Sequence, residues 1–261
     1  MNRLAVISTL EKPTLSSQVA RHLLDLIGRE HLRPGDAVPS EVQICRDLKV
    51  SRGSVREAYR ALAALGVLEI ETGRRPRLRP MSAVALAHVF GYALSTAQVS
   101  LAHVIETRRA IEVQSAQLAA RHADDAQRKM LRELVAQMRG ALGDQARRIA
   151  ADMAFHTVLA EASLNPLNSM LLGALRSPLE QSMFVDLGPR RGAAELVRIV
   201  DAHESIVDRV CAGDAVGAGA AMTYHFDLSV MTMLRTDPLT DQQSRNDGSD
   251  VTLAAAADAK F

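Results

Sequence analysis

Apolar residues recur at helical spacing along most of the chain, beginning with an amphipathic stretch over residues 15–31. A turn rich in Pro and Gly follows, and Ser40 then offers an N-cap with a Gln three residues later, the pattern of a capping box. This pattern predicts a short helix over residues 41–48, and Ser51 is placed to cap a third helix over residues 52–65. The apolar stripe of the first helix comprises Val19, Leu23, Leu26 and Ile27.

After Gly66 the pattern changes from helical spacing to the alternation that is typical of strands. The alternation runs from Val67 to Thr72 and breaks at Gly73, so it predicts a β-hairpin. Helix, short helix, tight turn, helix and hairpin follow one another in the order of a winged helix-turn-helix. We therefore predict this fold for residues 15–79, preceded by a flexible N-terminus over residues 1–14.

The third predicted helix has the chemistry of a DNA-recognition helix. Arg52 and Arg56 lie one turn apart, on the face opposite Val55, Leu62 and Leu65. Small residues at the start of the helix permit close approach to the major groove, where Arg binds guanine edges or phosphates. The alternative is a helical bundle with a solvated basic face, but the ordered series of elements favours DNA binding.

The distribution of charge agrees with a nucleic-acid partner at the front of the chain. The net charge is +1, yet residues 1–80 carry 14 Lys and Arg against 9 Asp and Glu, and the remainder carries 17 against 21. A basic front third and a mildly acidic remainder predict that double-stranded DNA binds to the N-terminal domain.

The segment PSEVQICRDLKVSRGSVREAYRALAALGVLE resembles the winged-helix domain of the GntR family of bacterial transcription regulators, over roughly residues 15–78. Two departures bear on DNA binding. Val42 follows the PSE motif where the family usually has a DNA-contacting Arg, and the wing at residues 73–76 lacks the second Gly of the usual Gly-Arg-Gly-Thr. The resemblance implies DNA contacts from Ser51, Arg52, Ser54, Arg56, Gly73, Arg74 and Arg75.

Beyond Pro80 helical stripes continue without a convincing strand, and the low aromatic content of 3% with abundant Ala and Leu favours helices. These features predict an antiparallel, all-helical bundle of six or seven helices over residues 80–235, and hence a mainly α protein. Residues 236–261 turn polar and then Ala-rich, which predicts a disordered tail. The stripes break at residues 123–124, 140–144, 165–166, 188–192 and 212–214.

Residues 81–105 contain no Asp, Glu, Lys or Arg. This uncharged segment is long enough to be considered as a membrane span. The segment also contains His, Gln, Ser and Thr, and most of its apolar residues are Ala, so it is interpreted as a buried helix, a turn and a helix start. The N-terminus has no signal-peptide pattern, and the two cysteines form no paired framework. We expect a cytoplasmic protein with no membrane partner.

Four ionisable residues fall on apolar stripes of the helical domain, where burial is costly unless a charge is paired or metal-bound. Asp152 and His156 lie one turn apart on one helix, and His203 and His225 occupy the middle of the stripes of two later helices. A single core histidine is more often hydrogen-bonded than metal-bound, and Asp152 could pair with Arg147, Arg148 or Arg108. Three His and one Asp directed inward together favour a shared divalent ion, Zn²⁺, Ni²⁺ or Mn²⁺.

Arg108 and Glu112 fall on the stripe of another predicted helix, residues 101–122, and could form an i, i+4 salt bridge. The segments VIETRRAIEVQSAQLAA, DMAFHTVLAEASLNP, HESIVDRVCAGD and MTYHF resemble the FCD-type ligand-binding domain of the FadR-like branch of the GntR family. The resemblance implies that Arg108 faces an effector pocket, where its guanidinium suits a carboxylate. It also implies that the metal ligands are Asp152, His156, His203 and His225.

Together these expectations describe a transcription repressor that senses a small carboxylate. The effector would fill open positions on the metal while Arg108 binds its other end, and the resemblance implies a homodimer on a near-palindromic operator. One alternative is a direct metal sensor, in which the ion is the effector. Another is a metal-dependent hydrolase or lyase. Glu112 is the one candidate base and no further catalytic motif accompanies it, so we expect no enzyme.

Overall fold

The computed structural model describes residues 13–182 and 192–234, with side chains for residues 13–176 and 192–228. The predicted tail at residues 236–261 lies outside the described residues, as do nearly all of the predicted N-terminal segment and most of the break at residues 188–192. The chain divides into two compact units, Met1–Ala85 and Leu86–Phe261.

The first unit contains three helices and a two-stranded antiparallel hairpin, in which Leu68 pairs with Leu78. Ala37 adds an isolated antiparallel bridge to Arg77, at the edge of this hairpin. In chain order the elements are α1 (Leu15–Arg29), α2 (Glu41–Leu48), α3 (Arg52–Ala64), β1 (Leu68–Glu69) and β2 (Arg77–Leu78).

Side-chain caps begin α2 and α3 where the sequence predicts them. The Ser40 hydroxyl accepts a hydrogen bond from the Gln43 backbone N–H, and the Gln43 side chain accepts one from the Ser40 N–H, which completes a capping box. The Ser51 hydroxyl accepts from the Ser54 N–H at the start of α3. Gly66 has a φ of +74°, a left-handed conformation that suits Gly and ends the helix.

The helices and β1 enclose a small apolar core, in which the ring of Tyr59 is fully buried. Its hydroxyl donates a hydrogen bond of 2.5 Å to the carbonyl oxygen of Pro39, which ties α3 to the turn before α2. One packing expectation is wrong: Leu65, assigned to the buried face, is 63% exposed, because α3 ends at Ala64 and Leu65 is its C-cap. The buried residues are Val19, Leu23, Val38, Ile44, Val55, Ala58, Tyr59, Leu62 and Leu68.

Seven further helices make up the described part of the chain beyond the hairpin, and no strand occurs there among the described residues. The predicted fold class, a winged helix-turn-helix followed by an all-helical domain, is confirmed. The helices are α4 (Val84–Ser95), α5 (Leu101–His122), α6 (Asp125–Gly140), α7 (Gln145–Ala162), α8 (Pro166–Ser182), α9 (Ala193–Cys211) and α10 (Ala215–Leu234).

Residues 81–105 form a helix, a turn and the start of α5, but α4 is not the buried helix that the sequence suggested. Val89 and Tyr92 are exposed, whereas Phe90 and Leu94 pack against the apolar core. Only one face of α4 is therefore covered. In the part of the chain that the structure describes, no helix is long and apolar enough to cross a membrane.

Helix α5 lies at the centre of the helical unit, since it packs against α7, α8, α9 and α10. Helix α10 also packs against α9, and α6 packs against α7 and α9. This arrangement turns the mixed polar and apolar stripes of α5, α7, α9 and α10 toward a common interior. The ionisable residues on those stripes are thereby brought together.

Candidate metal centre and nucleic-acid interface

Three imidazoles from three helices meet inside the helical unit. His156 on α7, His203 on α9 and His225 on α10 each offer a ring nitrogen, and these nitrogens lie within 4.8 Å of one another. All three residues are buried, His203 completely. Burial lowers the pKa of His225 well below its usual value, and the neighbouring His203 and His156 lower it further, so this ring is neutral. Neutral imidazoles are the form that binds metal.

Asp152, one turn before His156 on α7, lies against two of these rings. Its Oδ1 is 3.1 Å from Nε2 of His203, and its Oδ2 is 3.9 Å from Nε2 of His156. Burial raises the pKa of the Asp152 carboxyl, but its contact with His203 and the other nearby imidazoles lower that pKa more, so the group is ionised. The structure thus brings the four predicted ligands together.

A hydrogen bond to the backbone sets the tautomer of His203. Its Nδ1 lies 2.8 Å from the carbonyl oxygen of Ile199, and only a protonated nitrogen can bond to a carbonyl oxygen. In the neutral ring the lone pair is then on Nε2, which faces the Asp152 carboxylate. A lone pair and a carboxylate oxygen 3.1 Å apart repel each other unless a proton or a metal ion lies between them. These residues therefore fit a metal ion. Nε2 of His203 would bind the ion, while the backbone carbonyl of Ile199 holds Nδ1 of the same ring.

Arg108 and Glu112 on α5 form the i, i+4 ion pair that the sequence allowed. Nη2 of Arg108 contacts Oε1 of Glu112, and the two side chains are 7% and 1% exposed. The other carboxylate oxygen, Oε2, contacts Nδ1 of His156. Burial raises the pKa of Glu112, but Arg108 and His156 together hold that pKa below its usual value. Glu112 is therefore a buried carboxylate that joins the arginine to the imidazole cluster.

The guanidinium of Arg108 is only partly satisfied by Glu112. Its Nε is buried and has no hydrogen-bond partner among the described residues. A buried donor without a partner is costly, and a guanidinium edge matches a carboxylate. The arrangement can therefore accept an anion beside the ion pair.

Sequence reasoning missed the contact between Glu112 and His156, and left Arg148 as one of several partners for Asp152. Arg148 lies one turn before Asp152 on α7, and its Nη1 is buried without a hydrogen-bond partner in the described part of the chain. Burial lowers the pKa of Arg148, whereas the Asp152 charge raises it. The signal in the sequence was the four-residue spacing of Arg148, Asp152 and His156, which places all three on one face.

The residues that the sequence assigns to DNA contacts in α3 lie at the N-terminal end of that helix. Ser51, Arg52 and Arg56 are exposed and Ser54 is half-buried. The Ser51 and Ser54 hydroxyls are 2.9 Å apart, and Nε of Arg56 is 3.5 Å from a carboxylate oxygen of Glu41. Exposed ion pairs of this kind are weak, so Arg56 can exchange Glu41 for a phosphate or a base.

The predicted wing is the loop between β1 and β2. Gly73 has a φ of +78°, a conformation that requires Gly or strains other residues. Arg74 donates to Glu71 at 2.6 Å, and Arg75 donates to the side chain of Gln43 at 3.1 Å. The wing therefore carries two exposed cations, and one of them contacts α2.

Comparison with known proteins identifies both units. Residues 15–77 match the gntR family of bacterial regulatory proteins, and residues 103–228 match the FCD domain. The HTH-type transcriptional repressor NanR of Cronobacter sakazakii is 30% identical over 84% of this chain and 85% of that protein. The chain belongs to the GntR family. The resemblance stated from sequence, a GntR regulator with an FCD domain, is confirmed.

Other relatives of this GntR-family protein agree. The HTH-type transcriptional regulator LutR of Bacillus subtilis is 29% identical over 77% of this chain and 92% of that protein. A solved structure described as Streptococcus agalactiae GntR superposes with a TM-score of 0.59 and 25% identity, covering 84% of this chain and 99% of that one. The chain is a DNA-binding transcription regulator of the GntR type with an FCD domain. Its relatives are regulators and not enzymes, as expected.

Proposed function

We propose that this GntR-family protein is a homodimeric repressor whose FCD domain binds a divalent metal ion and a small carboxylate effector. The observation that carries the proposal is the set of three buried imidazoles and one half-buried carboxylate, in which Nε2 of His203 faces Asp152. The similarity to NanR, which is named as a repressor, supports the direction of regulation.

The metal ligands in this proposal are Asp152, His156, His203 and His225. A set of imidazoles with one carboxylate suits Zn²⁺, Ni²⁺ or Mn²⁺. A bound ion would supply a Lewis-acidic point for an effector oxygen. Arg108, with Nε buried and without a partner among the described residues, would bind the rest of the anion.

Operator binding is assigned to the N-terminal unit. Arg52 and Arg56 of α3 would read bases or phosphates in the major groove, helped by Ser51 and Ser54 at the start of the helix. The wing would contact the sugar-phosphate backbone of the DNA through Gly73, Arg74 and Arg75. A homodimer would place two such units on a near-palindromic site, and the effector would change DNA affinity by binding the two states of the protein differently.

A thermal-unfolding screen of small carboxylates tests the proposal, with full-length protein that is either metal-loaded or stripped by a chelator. A ligand that binds the folded state raises the unfolding temperature. We expect a rise with at least one carboxylate in loaded protein and none in stripped protein, and release of operator DNA by the same compound. Operator binding that depends on metal alone, with no effect of any carboxylate, would instead show a direct metal sensor.

A further inference from the structure

Glu112 touches two functional candidates at once. Its Oε1 contacts Nη2 of Arg108 within α5, and its Oε2 contacts Nδ1 of His156 on α7. The side chain of Glu112 is 1% exposed, so water does not compete for either oxygen. Burying a carboxylate is costly unless cations or donors face its oxygens, and each oxygen of Glu112 has a side-chain nitrogen against it.

The contact with Glu112 determines which nitrogen of His156 is available. A carboxylate only accepts hydrogen bonds, so the proton of the neutral ring lies on Nδ1. The lone pair is then on Nε2, the atom 3.9 Å from Oδ2 of Asp152. His203 reaches the same state by a different route, since its Nδ1 donates to the Ile199 carbonyl. Both rings therefore direct Nε2 at the Asp152 carboxylate, His203 at Oδ1 and His156 at Oδ2.

We infer that Glu112 is a positioning residue that holds His156 in the tautomer that binds metal through Nε2, and that holds Nη2 of Arg108 with its other oxygen. This role rests on the proposed metal centre and adds to it a residue that contacts neither the ion nor DNA. An outer carboxylate on a ligating histidine orients the ring and strengthens it as a ligand.

The need for a carboxylate makes the role testable with an isosteric change. Glu112→Gln keeps the shape of the side chain but leaves one acceptor oxygen and introduces an NH₂ donor. The amide cannot accept from both Arg108 and His156. If its oxygen stays with Arg108, its NH₂ faces Nδ1 of His156 and favours the tautomer that is protonated on Nε2, which cannot bind metal through Nε2.

The experiment compares full-length wild-type protein, Glu112→Gln and the matched control Glu106→Gln, an exposed Glu on the same helix. Zn²⁺ affinity is measured by competition with a chromophoric chelator, and ¹⁵N NMR of the histidine rings reports each tautomer in metal-free protein. The His156 signals are identified by their loss in His156→Gln. We expect Nδ1 of His156 to carry the proton in wild type, a Zn²⁺ affinity about 10–100-fold weaker in Glu112→Gln, and no change in Glu106→Gln.

The outcomes separate this inference from the proposed function. Wild-type protein that binds Zn²⁺, with Glu112→Gln binding equally tightly, overturns the role of Glu112 and leaves the metal centre standing. Wild-type protein that binds no Zn²⁺ overturns the metal centre itself. Should Glu112→Gln fail to fold, the wild-type spectrum decides, because a His156 ring protonated on Nε2 is incompatible with the inference.

Discussion

Nε2 of His203 lies 3.1 Å from Oδ1 of Asp152, while Nδ1 of the same ring lies 2.8 Å from the backbone carbonyl oxygen of Ile199. With the ring proton on Nδ1, the lone pair of Nε2 faces the carboxylate, and a cation between the two atoms would remove their repulsion. A proton would satisfy the pair alone, whereas a metal ion would also satisfy the two imidazoles beside it. The shared environment of the four residues favours the metal.

Protein purified without chelator should contain about one divalent ion per chain, since the four ligands converge on one site. Replacing His156, His203 and His225 together with Ala should remove the ion, as measured by elemental analysis. His122→Ala, an exposed histidine at the end of α5, serves as the control and should retain it. Unchanged metal content in the triple variant would refute the site.

Arg108→Ala should weaken carboxylate binding more than metal binding, because it removes the guanidinium and leaves the four ligands in place. The expected loss of carboxylate affinity is about 10–100-fold, the size of a charged hydrogen bond. Isothermal titration of metal-loaded protein measures the carboxylate, and chelator competition measures the metal. Arg109→Ala is the control, since Arg109 pairs with Asp227 at 2.8 Å on the partly exposed side of α5. Equal losses of carboxylate and metal in Arg108→Ala would indicate a structural role for Arg108.

Arg52→Ala combined with Arg56→Ala should abolish operator binding in a gel-shift assay. Each base contact contributes about 1–3 kcal/mol, so the double change should cost at least about 30-fold in affinity. Arg29→Ala, in the last turn of α1, should bind as wild type does. Normal operator binding by the double variant would remove the assignment of α3 as the recognition helix.

Tyr59→Phe should destabilise the N-terminal unit by about 1 kcal/mol, because it deletes a buried hydrogen bond and leaves the Pro39 carbonyl unpaired. Burial raises the pKa of Tyr59, and nearby Glu41 and Cys45 raise it further, so its hydroxyl remains a donor. Urea unfolding followed by circular dichroism measures the change. Tyr92→Phe, at an exposed position of α4, should leave stability unchanged. A similar loss of stability in both variants would show that the hydrogen bond of Tyr59 to Pro39 is not its cause.

Features set by neighbours in sequence were predictable. The capping box at Ser40, the start of α3 at Arg52 and the shared face of Asp152 and His156 follow from local hydrogen bonds and helical periodicity. Even the meeting of three distant histidines could be argued from sequence, because burying several unpaired ionisable groups is unfavourable.

The features that escaped prediction depend on tertiary packing. The contact between Glu112 and His156 requires the rotation of α5 against α7, which helical periodicity within α5 does not determine. The exposure of Leu65 depends on where α3 stops, and a difference of one residue moved it from the buried face to the C-cap. The exposed side of α4 likewise depends on which neighbours cover it.

The ligand set also joins segments of the chain that are remote in sequence. Asp152 and His156 come from α7, whereas His203 comes from α9 and His225 from α10. An ion bound to all of them would stabilise the folded chain by its binding free energy, because the four ligands converge only when the chain is folded. In a chain whose two cysteines are both free thiols, metal supply would then set the resistance of the FCD domain to proteolysis and heat.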